Sequence, residues 1–196
     1  MPRTPARTHE QLIDAAMRHF WRQGYNATSM DALVEATGTS RQAVYSRAGS
    51  KRELYRQGFA VYQDAIVAPA LAPAERPGAT LDAVAQFFET QITAAERAGL
   101  PGPGCLIANA TTETAPHDHC VAAEVDAHHA RLKAAFSNAL RNENPGLPDA
   151  EIAALAEFSV VTAQGLWSMS RVVDSATPLR AHASTLLSLL RRRSAP

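Results

Sequence analysis

The sequence predicts an all-α protein, and three observations support this fold class. Alanine is frequent and β-branched residues do not cluster, which favours helix over strand. Apolar residues recur at helical spacing, and no segment alternates apolar and polar residues as a half-buried strand would. Gly and Pro separate these segments. With 196 residues, 46% of them apolar, the chain can bury a sizeable core.

The first predicted helix spans residues 8–23 and is amphipathic. Its apolar residues fall on one face of a helix with 3.6 residues per turn. Gly24 follows and suits the position just after a helix end. The apolar stripe consists of Leu12, Ile13, Ala16, Met17 and Phe20.

Two short helices are predicted next, over residues 29–37 and 40–47, with Gly38 in the turn between them. This spacing is that of a helix-turn-helix, whose second helix enters the major groove of DNA. The start of the second helix is polar and aromatic where a core helix would be apolar. Its polar and aromatic residues are Thr39, Ser40, Arg41, Gln42, Tyr45 and Ser46. Residues 1–50 are therefore predicted to form a three-helix DNA-binding head.

Three neighbouring helix starts can also bind phosphate through free backbone N–H groups. The side chains at these starts are Thr28, Ser29, Thr39, Ser40, Ser50 and Lys51. Other interpretations stay open for single residues. Gln42 can close a capping box with Thr39 instead of reading a base, Tyr45 can be a core aromatic, and Lys51 can belong to a solvated first turn.

The charge distribution favours an anionic partner at one end of the chain. Net charge is zero, but residues 1–56 hold nine Lys and Arg against five Asp and Glu. No apolar run reaches 18 residues, and residues 1–7 lack the apolar centre of a signal peptide, so no membrane partner is expected. The two cysteines, Cys105 and Cys120, indicate no disulfide framework, which fits a cytoplasmic location.

The rest of the chain predicts further helices connected by Pro- and Gly-rich loops. Pro69 is expected to end the first of them, with a connection over residues 69–79. Pro148 suits the first turn of a later helix. The predicted helices cover residues 51–68, 80–98, 105–114, 120–142, 149–173 and 178–193.

Over residues 7–56 the chain resembles the TetR family of bacterial transcriptional regulators. The matching features are Phe20, Gly24-Tyr25, Thr28-Ser29, Leu33-Val34, the turn Gly38-Thr39-Ser40, Tyr45, and the run Ser50-Lys51-x-x-Leu54. Residues 102–118 are similar to a motif in one group of these regulators. Residues 160–167 resemble the start of the helix pair through which the family dimerises.

The resemblance implies a ligand-responsive transcriptional regulator, usually a repressor, that binds palindromic double-stranded DNA as a homodimer. A small molecule would release it. Residues 51–196 would form a C-terminal effector-binding and dimerisation domain, with the homodimer made through the last two helices. The DNA-binding residues that the resemblance implies are Thr28, Ser29, Thr39, Ser40, Arg41, Gln42, Tyr45, Ser46 and Lys51, and Arg47 is added to them for its charge.

This chain departs from the family pattern after Tyr45. The family has a second aromatic residue, a His and a Phe, whereas residues 46–48 read Ser-Arg-Ala. We hypothesise that Trp21 fills the volume that the missing Phe leaves behind the third helix. Arg47 adds a cation that can reach phosphate. Gln42 replaces a common Gly and can contact a base, often adenine.

The C-terminal part offers candidates for a small, fairly apolar ligand, because aromatic and sulfur-bearing residues accompany isolated polar groups. For any single candidate, plain core packing remains the alternative. The candidates are Phe87, Phe88, Ile92, Cys105, Asn109, Thr112, Trp167 and Met169. Ala163, Gly165, Trp167 and Leu186 are expected in the homodimer interface, and packing within one chain is the alternative.

Neither a metal, a cofactor nor a catalytic residue is expected. The cluster His117, Asp118, His119, Cys120, His128 and His129 lacks the spacing that helical metal ligands prefer. No nucleophile-elbow, zinc-protease or phosphate-loop motif is present, so an enzyme is not expected. A helical interaction module without DNA binding remains a third possibility, supported by residues 46–48. The effector, the operator and the regulated genes stay open, as does repression versus activation.

Overall fold

The predicted all-α fold is confirmed. In the computed structural model, residues 8–192 are described, and they form ten α-helices, one π-helical turn and one short 3-10 turn, with no strand among them. Residues 1–7, which include the basic Arg3 and Arg7, lie outside the described residues, as does the predicted last position of the final helix, 193.

The head is built from three helices and a fourth that packs on them. The three are α1 (His9–Gln23), α2 (Met30–Thr37) and α3 (Arg41–Ala48). Thr8 and Gln11 form a capping box at the start of α1, which satisfies backbone N–H groups that lack helical partners. The predicted apolar stripe of α1 is buried along its whole length.

The fourth helix, α4 (Lys51–Tyr62), does not end at Pro69 as the sequence predicted. It continues through a π-helical turn, Gln63–Val67, into α5 (Ala68–Glu75). In the π turn the N–H of Ala68 bonds to the carbonyl of Gln63, five residues back. Pro69 therefore lies in the first turn of a new helical segment, where its missing N–H costs no hydrogen bond.

Five helices complete the chain. They are α6 (Leu81–Ala98), α7 (Leu106–Glu113), α8 (His119–Glu143), α9 (Asp149–Met169) and α10 (Thr177–Arg192). α9 is shorter than the predicted 149–173, and the Ser170 hydroxyl donates to the Trp167 carbonyl at its end (2.7 Å). Asp118 caps α8 by accepting from the N–H groups of Cys120 and Val121.

One hydrophobic core runs from the head into the C-terminal helices. α4 connects the two parts because it packs on α1 and also on α7. At its crossing with α1, a Cβ on Gly58 would lie 3.2 Å from the Cβ of Met17. The proposed boundary at residues 50 and 51 falls at the cap of α4, a helix that contacts both sides.

Among the described residues, α9 is the one helix long and apolar enough to cross a membrane by length and composition. No uninterrupted apolar run predicts this helix, because polar residues interrupt its apolar ones. Its apolar residues occupy two faces. The inner face, including Ile152, Val160 and Trp167, is buried, whereas Phe158 and Val161 are 50% and 61% exposed. A soluble helix with two packing partners has the same composition, so the observation is weak evidence for a membrane span.

Candidate nucleic-acid interface and internal cavity

α3 presents a polar surface to solvent. Val44 and Ala48 are its buried residues, and they hold it against the rest of the head. Ser40 caps the helix by accepting from the N–H of Ala43 (3.2 Å). The residues of α3 that are exposed are Arg41, Gln42, Tyr45, Ser46 and Arg47. Five of the ten predicted DNA-binding residues are therefore exposed together on α3.

Because Ser40 caps α3, Gln42 does not close a capping box with Thr39. The capping box predicted from Thr39 and Gln42 would require Thr39 at the cap and Gln42 three positions later. With Ser40 at the cap, that third position belongs to Ala43. Gln42 is the second residue of α3 and is exposed. Its side chain is thus available to contact a partner outside the chain.

Arg41 is held beside Asp31 of α2. Its guanidinium nitrogen lies 2.7 Å from the Asp31 carboxylate, and both side chains are largely exposed. The hydrogen bond and charge of Asp31 raise the pKa of Arg41 further above its ordinary value. An exposed pair of this kind is weakly held, so Arg41 can exchange Asp31 for another acceptor at little cost.

Lys51 lies at the start of α4 and contacts an aromatic ring. Its Nζ is 4.1 Å from the ring centroid of Tyr25, a cation–π geometry. Partial burial lowers the pKa of Lys51 from its ordinary value, opposed by the charge of Glu113. Ser50 caps the same helix start by accepting from the N–H of Glu53 (3.0 Å). Lys51 and the helix start therefore offer a cation and a capped terminus at one place.

The polar residues before α2 and α3 divide into exposed and interior ones. Thr28 is 1% exposed, and its hydroxyl donates to the Gly24 carbonyl (2.6 Å), so its side chain faces the interior, unlike the phosphate contact that the resemblance implied. Ser29 is exposed and caps α2. Thr39 is half-buried, and its N–H donates to the Val34 carbonyl (3.3 Å).

The hypothesis that Trp21 fills space behind α3 is wrong. The Trp21 Nε1–H donates to the Gly104 carbonyl (2.9 Å), 83 residues away in sequence. Its ring meets Tyr62 edge to face, with the centroids 5.0 Å apart. Trp21 therefore points from α1 into the C-terminal part of the chain. Behind α3, Ala48 is itself buried where the family has a Phe.

Two carboxylates join the head to the C-terminal helices. Glu113, at the end of α7, accepts from the backbone N–H groups of Tyr25 (3.1 Å) and Asn26 (2.7 Å) in the turn between α1 and α2. Gly24 has a φ of 87°, and a Cβ there would lie 3.1 Å from both oxygens of Glu113. Glycine therefore allows the carboxylate to approach this turn closely.

The second carboxylate, Asp118, binds Arg52 of α4. The Arg52 guanidinium donates to both Asp118 oxygens, one of them at 2.7 Å. Hydrogen bonding to Arg52 holds the pKa of Asp118 well below its ordinary value. Ligand atoms of Asp118, His119 and Cys120 lie within 4.8 Å of one another. Since Asp118 already binds Arg52 and caps α8, the cluster has a structural explanation.

A partly open cavity of about 120 Å³ lies between the head and the C-terminal helices. Of the eight predicted pocket residues, Phe87, Cys105 and Trp167 line it. The other five do not, because Phe88 and Ile92 are packed in the core, Thr112 and Met169 are exposed, and the Asn109 amide donates to the Pro103 carbonyl. Wall residues that were not predicted from the sequence include Trp21, Tyr62, Ile66, Gln91, His128, Leu132 and Ser170.

His128 is a buried wall residue with an altered ionisation. Its Nδ1 lies 2.9 Å from the side-chain amide nitrogen of Gln63 in the π-helical turn. Burial lowers the pKa of His128 to about 4, and the charges of His129 and Arg131 act in the same direction. The ring is therefore neutral at physiological pH.

The pKa of His128 predicts a loss of stability in mild acid. The unfolded state takes up a proton near the ordinary pKa of about 6.5, whereas the folded state does so near 4, so the stability present above 6.5 falls between these values. We expect the free energy of unfolding to drop by about 2 kcal/mol between pH 7 and pH 5 from this group. Urea unfolding of wild type and His128→Gln at both values measures it. The exposed His119→Gln is the control. An equal drop in wild type, His128→Gln and His119→Gln would mean that a group other than His128 causes the loss of stability.

The outward face of α9 and α10 includes two of the four predicted interface residues, because Gly165 is exposed and Leu186 lines a groove there. Ala163, Trp167 and Leu186 are buried within the chain, whereas Gly165 is exposed. A shallow groove between the two helices is lined by Phe158, Thr162, Ala181, His182, Thr185, Leu186 and Leu189. The exposed apolar residues Phe158 and Val161 thus lie on the opposite side of α9 from Trp167.

Comparisons with known proteins cover nearly the whole chain. Residues 12–57 match the family model of bacterial regulatory proteins of the tetR family, and residues 77–185 match the C-terminal domain of LmrA/YxaF-like transcriptional regulators. The HTH-type transcriptional repressor ComR of Escherichia coli is 30% identical over 186 residues, which cover 92% of this chain and 87% of ComR. The uncharacterized HTH-type transcriptional regulator YezE of Bacillus subtilis is 28% identical over 186 residues, covering 91% of this chain and 94% of YezE.

Solved structures share the fold. A TetR transcriptional regulator from Chloroflexus aurantiacus has a TM-score of 0.79 at 20% identity, covering 94% of both chains. A cysteine mutant of the regulator CifR, complexed with 26-base-pair operator DNA, has a TM-score of 0.75 at 23% identity and covers 96% of this chain and 98% of its own. At these identities the similarity concerns the arrangement of helices.

Proposed function

Since the chain belongs to the TetR family, whose members are DNA-binding transcription factors and not enzymes, we propose that it is a repressor that binds a palindromic operator as a homodimer and that a small molecule releases it. The observation that carries the proposal is α3, with Val44 and Ala48 buried and its polar residues exposed. The relative named a repressor, ComR, and the DNA complex of CifR support it.

In the proposed complex, α3 lies in the major groove. Gln42 and Arg41 read base edges, Gln42 through its amide and Arg41 after leaving Asp31. Tyr45 and Lys51, with Arg47, hold phosphates on either side. The smaller polar residues Ser29, Thr39, Ser40 and Ser46 border this face, and Thr28 supports the start of α2 from inside.

A homodimer is proposed because one head reads only half of a palindrome. Two copies of α3 must lie about 34–36 Å apart to enter successive major grooves. The outward face of α9 and α10, with Phe158, Val161 and Leu189 exposed, offers the surface for this pairing. An isologous contact uses the same face of both copies, which fits a two-fold symmetric operator.

We propose that an effector releases DNA through the contacts that attach the head to the C-terminal helices. An effector in the cavity touches Trp21, whose indole N–H holds Gly104. Glu113 and Asp118 attach the same helices to the α1–α2 turn and to α4. A ligand that binds one arrangement of these contacts more tightly shifts the population of head spacings. The free energy of DNA binding then weakens by the difference in ligand-binding free energy between the arrangements. We propose that the protein acts in the cytoplasm.

The test is selection of random duplex DNA by the purified protein at about 0.15 M salt, the physiological range. We expect an enriched palindrome. Gln42→Ala should relax specificity at one position of each half-site, costing about 1–3 kcal/mol there. Lys51→Ala should weaken all sites alike and flatten the salt dependence, because it removes a phosphate contact from each half-site. Binding titrations at several salt concentrations measure both effects.

Arg76→Ala is the matched control, since Arg76 is exposed just after α5 and its carbonyl accepts from Asn138, which lies 20 residues along α8 from the contact of Asp118 with the head. It should leave the selected sequence and the salt slope unchanged. Retention of DNA without enrichment of any sequence would contradict a specific regulator. An unaltered salt slope in Lys51→Ala would reject the assignment of Lys51 to phosphate.

A further inference from the structure

The walls of the cavity contain no Asp, Glu, Lys or Arg among the described residues. Apart from Tyr62, the ionisable wall residues are Cys105 and His128, and both are neutral at physiological pH. Burial raises the pKa of the Cys105 thiol, and it lowers the pKa of His128 to about 4. A charged ligand inside would lose its hydration without gaining a counter-charge, which is strongly unfavourable. The cavity therefore discriminates against ions of either sign.

The walls are strongly aromatic. Trp21 and Tyr62 meet edge to face with centroids 5.0 Å apart, and Phe87 and Trp167 meet edge to face at 6.4 Å. The first pair comes from α1 and α4, and the second from α6 and α9. Aromatic side chains favour aromatic partners through edge and face contacts beyond simple burial. Gln91 adds an amide to the wall, where one polar group of a ligand can bind.

The size of the cavity limits the ligand. Its volume is about 120 Å³. An apolar cavity of about 150 Å³ holds a molecule such as benzene. The cavity in this chain is slightly smaller and is partly open, so it matches a single ring whose short substituent extends into the opening.

Trp21 gives the ligand a direct contact with the DNA-binding head, because it belongs to α1. The bond from its indole N–H to the Gly104 carbonyl spans the boundary that the cavity occupies. A Cβ on Gly104, which has a φ of 73°, would lie 3.0 Å from the Trp167 carbonyl oxygen, so the Gly104 segment is packed tightly against the end of α9. A ring inserted here must alter the packing of Trp21.

We propose that the effector is a small, neutral aromatic molecule of one ring, and that Trp21 senses it directly from within the head. This inference rests on the proposed function only in treating the cavity as the effector site. Benzyl alcohol, benzoate and benzylammonium share a ring and differ in charge. Cyclohexylmethanol has the size of benzyl alcohol without the aromatic ring.

The full chain is titrated with these four probes at pH 7 while tryptophan emission is recorded. The protein has two tryptophans, and both line the cavity. Calorimetry provides a second measure of binding. Benzyl alcohol should bind at least about tenfold more tightly than either ion, since a lone buried charge is costly. It should also bind more tightly than cyclohexylmethanol. Equal binding of all probes, or tighter binding of an ion, overturns the proposal.

The benzoate result is informative because cations lie near the cavity. A surface depression that shares Trp21, Ile66 and Pro103 with the cavity also contains Arg18 and Arg22. Arg18 is paired with Asp14. If benzoate bound most tightly, these arginines would define the site, and the effector would be an anion. That outcome rejects the neutral class.

Gln91→Glu places a carboxylate on the wall with little change in shape. Benzylammonium should then bind more tightly than benzyl alcohol, reversing the wild-type order by at least about tenfold. Gln86→Glu is the control, since Gln86 is exposed on the same helix and does not line the cavity. Ala95→Leu fills the cavity without adding charge and should weaken all probes. Unchanged binding in Ala95→Leu places the probes elsewhere and overturns the proposal.

Measurements of binding to the selected operator distinguish a failure of this inference from a failure of the proposed function. Benzyl alcohol should weaken operator binding by wild type, and less so by Trp21→Phe, which keeps a ring but loses the N–H bond to Gly104. Binding of benzyl alcohol in the cavity without any effect on operator affinity would support the ligand class and reject release. Equal release by Trp21→Phe and wild type would reject the role of Trp21.

Discussion

Val161→Glu is expected to make the protein monomeric and to weaken binding to the selected operator by about 100-fold or more. Val161 is 61% exposed on α9, on the apolar face that we assign to the homodimer. In a two-fold symmetric interface the substitution buries one carboxylate from each copy. An uncompensated buried charge costs about 3 kcal/mol or more, and each 1.4 kcal/mol is about tenfold in affinity. Sedimentation and operator titration measure the two effects.

Ala72→Glu is the matched control, because Ala72 is exposed on α5, a helix that packs on α6 and α8 and not on the face of α9 that carries Val161. It adds the same charge and should leave both mass and operator affinity unchanged. Circular dichroism should show the same helix content in both variants. If Val161→Glu stayed dimeric at wild-type affinity, the interface would have to lie on another face.

Glu113→Ala is expected to destabilise the protein by about 3 kcal/mol and to reduce the effect of an effector on DNA binding. Glu113 accepts from the N–H groups of Tyr25 and Asn26, and hydrogen bonds to a charged group contribute about 1.5–3 kcal/mol each. Its loss frees the turn between α1 and α2 from α7. The head can then adopt its DNA-binding position whatever occupies the cavity, so the ratio of operator affinities without and with ligand should approach one.

Chemical denaturation measures the stability of Glu113→Ala, and operator titration with and without benzyl alcohol measures the coupling. Asp126→Ala is the control, since it removes an exposed carboxylate from α8 without touching the head. Loss of stability with full retention of ligand-dependent release would limit Glu113 to a structural role. Unchanged stability would mean that water replaces its hydrogen bonds at no cost.

Local sequence was sufficient for most of the fold. The starts of α1, α2, α3 and α4 follow from Thr8, Ser29, Ser40 and Ser50, each of which accepts from a backbone N–H three residues on. The prediction failed at Pro69, where a π-helical turn allowed the chain to continue as helix. The rule that a proline ends a helix does not allow for a π-helical turn just before the proline.

The exposed residues of α3 were also predictable, since a polar helix start between two glycines is local information. The cavity was not. Of its predicted residues only Phe87, Cys105 and Trp167 line it, and Trp21 belongs to the head. For the proposed homodimer, the apolar residues on both sides of α9, such as Phe158 and Trp167, were a signal that could have identified two packing faces.

The sequence by itself determined most helix starts and the polar surface of α3, because these depend on groups within a few residues of one another. Tertiary structure alone decided that Trp21 meets Gly104 across 83 residues and that Glu113 meets Asn26 across 87. Helical periodicity indicates that a face is buried, but not against which partner. The partner depends on how all ten described helices pack together, and the cavity and the joints between the head and the C-terminal helices arise from that packing.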